Sequence, residues 1–86
     1  MRRLCVDLNW GGRLEDGRGI TLLVDGDRRN GDLPDDLAAG ETVLLADHDG
    51  FPDGSPAWIE IPAEIVRDDD GWSATWSWDA RRWVPR

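Results

Sequence analysis

From Trp72 to Trp78 the chain alternates without a break: Trp72, Ala74, Trp76 and Trp78 are apolar, while Ser73, Thr75 and Ser77 are polar. A period of two sends the first set to one face of an extended strand and the second to the other. A helical spacing also links Trp72, Trp76, Ala80 and Trp83, but the Ser/Thr alternation excludes it over 72–78. It stays open from Asp79 to Trp83, with Asp79 as a candidate N-cap. The same alternation begins the chain, where Leu4, Val6, Leu8 and Trp10 oppose Cys5, Asp7 and Asn9. A chain whose two strongest periodicities are both of period two folds as a sheet.

Three further segments fit that reading. Ile20–Val24 is apolar and rich in β-branched residues, so it reads as a buried strand; Glu41–Asp47 and Ala57–Ile61 read as the next two. The last is expected to end or bulge at Pro62, which has no N–H for a ladder, with Ile65 and Val66 extending the pairing beyond it. Gly11-Gly12, Asp16-Gly17, Asp25-Gly26, Asp49-Gly50 and Asp53-Gly54 punctuate the strands, and Asp68-Asp69-Asp70-Gly71 is the strongest hairpin signal. Residues Asp25 to Pro34 read as a loop, and Pro34–Gly40 as one helical turn with Pro early and Gly at the exit. The expectation is an all-β domain spanning residues 1–86: a small five-stranded barrel or a strongly bent antiparallel sheet.

A domain of this size buries only about 60–65% of its unfolded surface, so its core needs large side chains. The six Trp residues supply them. Trp72 and Trp76 are therefore assigned to the core. Trp78 and Trp83 lie near Arg81 and Arg82, which can stack on them, and are expected at the surface.

The segment Leu37-x-x-Gly40-Glu41-x-Val43-x-Leu45-x-Asp47-x-Asp49-Gly50, followed by Ala57–Ile61 and a late Trp-rich strand, resembles SH3-like small barrels. Val6-Asp7-Leu8-Asn9 with the later Thr21-Leu22-Leu23 is similar to small proteins of unknown function from high-GC bacteria. What the resemblance implies is an SH3-like fold with no activity attached. Nucleic-acid-binding members of such barrels present Lys and Arg on their loops, whereas these loops carry Asp.

Charge is concentrated in the middle of the chain. Between Asp25 and Asp53 nine carboxylates face only Arg28 and Arg29, which accounts for −7 of the net −8. Such a surface repels phosphate backbones and attracts basic partners or cations. Direct nucleic-acid binding is thus excluded from the reading, and a basic protein partner is favoured.

Other chemistries fit less well. Asp25-x-Asp27 and Asp47-x-Asp49 begin like calcium loops, but an EF-hand needs an acceptor at its fifth position, Gly at its sixth and an acid at its twelfth. The first has Arg29 and Asn30, with only Asp36 at the twelfth in place, and the second has Phe51, Pro52 and Trp58 at all three. His48 stands alone, and Cys5 is the single cysteine, so no zinc site and no internal disulfide can be built. Cys5 would need His48 as its base to serve as a nucleophile, and nothing in the sequence brings them together. No cofactor is implied. Arg2-Arg3 is followed by an apolar run that breaks at Asp7 and Asn9, before a signal-peptide core forms. No stretch approaches the ~20 apolar residues of a membrane span, so a cytoplasmic protein is expected.

The leading expectation is a non-enzymatic acidic module of inhibitor, antitoxin, immunity or DNA-mimic type. Asp32, Asp35, Asp36, Asp47 and Asp49 would supply charge, with Phe51 and Trp58 as apolar anchors. The alternatives are a Trp-lined receptor for a peptide or small ligand using Trp78, Arg81 and Trp83, and a homo-oligomer joined through its Trp face.

Overall fold

Alternation does produce strands, and more of them than the apolar stripes announce. The computed structural model describes residues 1–69 and 71–86. Its strands are β1 (Arg2–Cys5), β2 (Gly11–Arg13), β3 (Gly19–Asp25), β4 (Arg28–Arg29), β5 (Thr42–Gly50), β6 (Pro56–Arg67), β7 (Gly71–Trp76) and β8 (Arg82–Pro85). One 3-10 turn, Trp78–Ala80, links the last two. A single sheet runs in the order β1-β5-β6-β7-β3-β2, with β4 paired to β3 and β8 to β6. The all-β reading holds; the count rises from five strands to eight, and the path has two ends. The sheet is also mixed, because β1 runs parallel to β5 while the other pairings are antiparallel. The added strands β2, β4 and β8 are short and carry no apolar stripe of their own. They form by pairing along a neighbour.

Two predicted strand ends moved. β1 stops at Cys5 instead of reaching Trp10. Val6 still donates its N–H to Ala46 at 3.0 Å, but the Asp47 carboxylate captures the Leu8 N–H at 3.0 Å and the chain turns away. It arrives at β3, where Leu22 donates to the Trp10 carbonyl at 2.7 Å. Residues 6–10 therefore join the two end strands of the sheet and curl it on itself.

Pro62, in contrast, ends nothing. The Ile65 N–H donates to Glu41 and its C=O accepts from Gly40, both toward β5. Alternation then turns the Pro62 nitrogen to the opposite edge, where β7 pairs only with residues 64–67 and β8 only with 57–60. The missing donor falls in the gap between two partner strands.

Asn30 completes the curl. Its side chain is buried, accepting the Asp7 N–H at 2.7 Å and donating at 2.9 Å to the carbonyls of both Asp7 and Leu22. Gly31 follows with φ +76°, and a Cβ there would sit 2.5 Å from the Cys5 carbonyl oxygen, so only glycine fits. Inside the curl lies one core of Leu4, Val6, Leu23, Val43, Leu45, Ile61, Ala63, Ile65 and Ala74. Trp72 and Trp76 pack against it, as do Leu8, Leu33 and Leu37. The Trp76 indole lies across Gly19 and donates its N–H to the buried Thr21 hydroxyl at 2.9 Å.

The helical turn expected over Pro34–Gly40 is absent: turns at 35–36 and 39–40 instead let Leu33 and Leu37 reach the core. Trp78 leaves the strand face, because β7 ends at Trp76 and the 3-10 turn begins. Ser77, not Asp79, precedes that turn, and its side chain caps nothing. Ser73, placed by alternation on the outer face, is buried between its neighbours Leu22 and Val66. The hairpin predicted at 68–71 is present as the β6–β7 link, closed by Gly71 N–H to the Asp68 carboxylate at 2.8 Å; Asp70 itself lies outside the described residues.

Candidate binding site on the hairpin arm

β5 and β6 outrun the core. Their pairing continues from Asp47↔Ile59 to Gly50↔Pro56, and β8 lies along the same end of β6. The molecule measures 43 × 28 × 22 Å. Register sorts its side chains. Trp83 pairs with Ile59 and so shares a face with Ala57 and Asp49, whereas Arg82, Glu60, Trp58 and His48 face the other way.

Trp83 donates its indole N–H to the Asp49 carboxylate at 2.6 Å. To reach β5 from β8 the ring must cross β6, which accounts for the burial of Ala57 and Ile59 away from the main core. The Trp83 N–H, aided by the Gly50 backbone N–H, holds the Asp49 carboxyl below the usual aspartate range. Beyond it, Phe51 donates to Ser55 at 2.9 Å and Gly54 to Phe51 at 2.8 Å, which fixes the tip. Asp49, Gly50, Phe51, Pro52 and Trp83 line an open hollow of about 540 Å³. That is within the ~300–1,000 Å³ of ordinary ligand sites.

Trp78, Arg81 and Trp83 come together next to this hollow. The Arg81 guanidinium lies 4.4 Å from the Trp78 ring centre and 5.1 Å from that of Trp83, and donates to the Trp78 carbonyl at 2.8 Å. Both rings are over two-fifths exposed, at 44% and 41%. Their mutual faces, however, are taken by the chain's own arginine.

On the opposite face Glu60 is buried and holds two arginines: Arg3 from β1 on one oxygen and Arg82 from β8 on the other, each at 3.0 Å. Arg3 also lies 4.6 Å over the Trp58 ring, whose neighbour is His48 at 4.6 Å. Cys5 and His48 do share a groove of about 360 Å³ here, with Asp7, Asn30, Asp47 and Trp58. The parallel β1–β5 pairing, invisible to a local reading, sets Cys5 beside Ala46. No hydrogen bond joins the thiol to the imidazole among the described residues; the Cys5 sulfur instead faces Arg3 Nη1 at 3.9 Å. A nucleophile–base pair is not assembled.

The predicted acidic set is divided. Asp49 and Phe51 meet at the hollow, and Trp58 lies on the other face of the arm. Asp47 is spent on the backbone N–H groups of Leu8 and His48. Asp36 and Glu41 both grip Arg2, which lowers the two carboxyls and raises the guanidinium. Asp35 is 4.0 Å from Arg29, and exposed Asp32 has no partner among the described residues. Among those residues no group of three or more His, Cys, Asp or Glu could hold a metal ion, and no helix is long and apolar enough to cross a membrane. Pro52 and Glu60 had no sequence signal beyond their residue type. Comparison with family models, curated proteins and solved structures finds no significant match to this chain.

Proposed function

We propose that the protein is a non-enzymatic binding module that receives a basic segment of a partner protein at the tip of its hairpin arm. One observation carries this reading: the hollow has apolar walls (Phe51, Pro52, Trp83) and a single charged wall, the Asp49 carboxylate, fixed by the Trp83 N–H. Lysine and arginine side chains have the matching form, an apolar stem with a cationic head. Exposed Asp32 and Asp35 act at longer range, drawing the same partner in and turning phosphate backbones away. Docking of this kind would neutralise a basic partner. Trp83 takes the anchoring role that the sequence suggested for Trp58.

The test is titration of a ten-residue peptide of alternating Arg and Lys, followed by calorimetry and by the Trp83 indole N–H resonance. Phe51→Ala and Asp49→Asn should each weaken binding about tenfold, while Trp58→Ala should change it less than twofold. Equal losses for Trp58→Ala and Phe51→Ala would refute the assignment.

A further inference from the structure

We infer that β8 is a strap whose closure builds the hollow, and that Glu60 and Arg82, on the far side of the sheet, latch it shut. The binding half of this inference rests on the proposed function. The closure half stands on the fold alone.

Among the described residues β8 pairs with β6 alone, and no strand pairs with its other side. Its register turns the N–H groups of Arg82 and Val84 toward β6, which leaves outward only the backbone of Trp83 and the carbonyl of Pro85. The turn that leads into it has no buried residue and no side-chain cap. The stretch of β6 between its two edge partners contains Pro62, so no continuous ladder ties β8 to β7. Besides its short ladder, β8 is held by Trp83 on Asp49, Arg82 on Glu60, and the Arg86 N–H on the Pro56 carbonyl at 3.2 Å.

Glu60 suits a latch because it is shared. Its side chain is only 8% exposed, and a carboxylate so placed would be costly if left bare. Arg3 stays on it when Arg82 departs, so opening breaks one ion pair without orphaning a buried charge. Trp83 is the one wall of the hollow that β8 contributes. When the strap lifts, that wall goes with it, and a bound basic segment holds the closed state by mass action.

Arg82→Gln tests this in the full chain, because the Arg82 side chain is 67% exposed and the core does not depend on it. The Arg82-position and Val84 amides should exchange with solvent at least tenfold faster, with Leu45 and Ile61 unchanged. The Trp83 indole N–H resonance should move toward that of free indole, and peptide affinity should fall in step. Glu60→Gln should do the same from the other partner. Unchanged β8 exchange, or exchange that rises equally at Leu45, would overturn the strap. Faster β8 exchange with undiminished peptide affinity would overturn its role in forming the hollow. A peptide that fails to bind the unaltered protein would refute the proposed function alone, and the exchange rates would still decide the strap.

Discussion

Asn30 makes three side-chain hydrogen bonds in a stretch that reads from sequence as a solvated turn. Its amide has the right donors and acceptors to bridge Asp7 and Leu22, and a carboxylate in its place would face two carbonyls. Asn30→Ala should therefore lose about 2–3 kcal/mol in urea unfolding, and Asn30→Asp more. A smaller loss for Asp than for Ala would show that the bridge is not what matters there. Residue types legible in advance were those whose role is local. Trp72 and Trp76 were recognisable as core from their period, and Arg81 as a stacking partner from its proximity to Trp78 and Trp83. Asn30 and Glu60 were not, because their partners lie on strands distant in sequence.

The arm is an element held partly by charge. Asp49 has a lowered pKa in the folded chain, so its contribution is fully present above the ordinary aspartate value of about 3.9 and is lost as pH falls below that. The Trp83 indole N–H signal should thus titrate in acid, and Asp49→Asn should abolish that titration. Arg2 lowers Asp36 and Glu41 in the same direction, so the long loop loosens over the same acid range. Residue-resolved spectra separate the two events. The longer strands were readable from alternation or from apolar, β-branched runs; β2, β4 and β8 were not, since two glycines and an arginine, a pair of arginines, or Arg82–Pro85 form strands only where a neighbour offers an edge. Pro62 misled for a related reason: its effect depends on which edge its nitrogen faces.

At the scale of the whole molecule, an elongated body with a net charge of −8 steers cationic partners before any contact forms. The association rate for the basic peptide should fall several-fold between low salt and about 0.15 M, where the Debye length is ~8 Å, with the dissociation rate nearly constant. A salt effect confined to dissociation would remove long-range steering from the account. The all-β class was plain in the sequence, but the grouping of acids was not. Adjacent in sequence, they are distributed among the arm tip, the long loop and the hairpin turns, and several are spent on the chain's own N–H groups and arginines.

The parallel seam between β1 and β5 also has a consequence in time. Arg2 meets Val43 and Cys5 meets Ala46, so the first strand finds its place only after a stretch of about forty residues has been made and closed into a loop. The β5–β6–β7 meander, joined by short turns, can assemble without it. During synthesis Leu4 and Val6 are made about forty residues ahead of the strand that covers them, and until β5 has formed they are bare apolar side chains available to a chaperone.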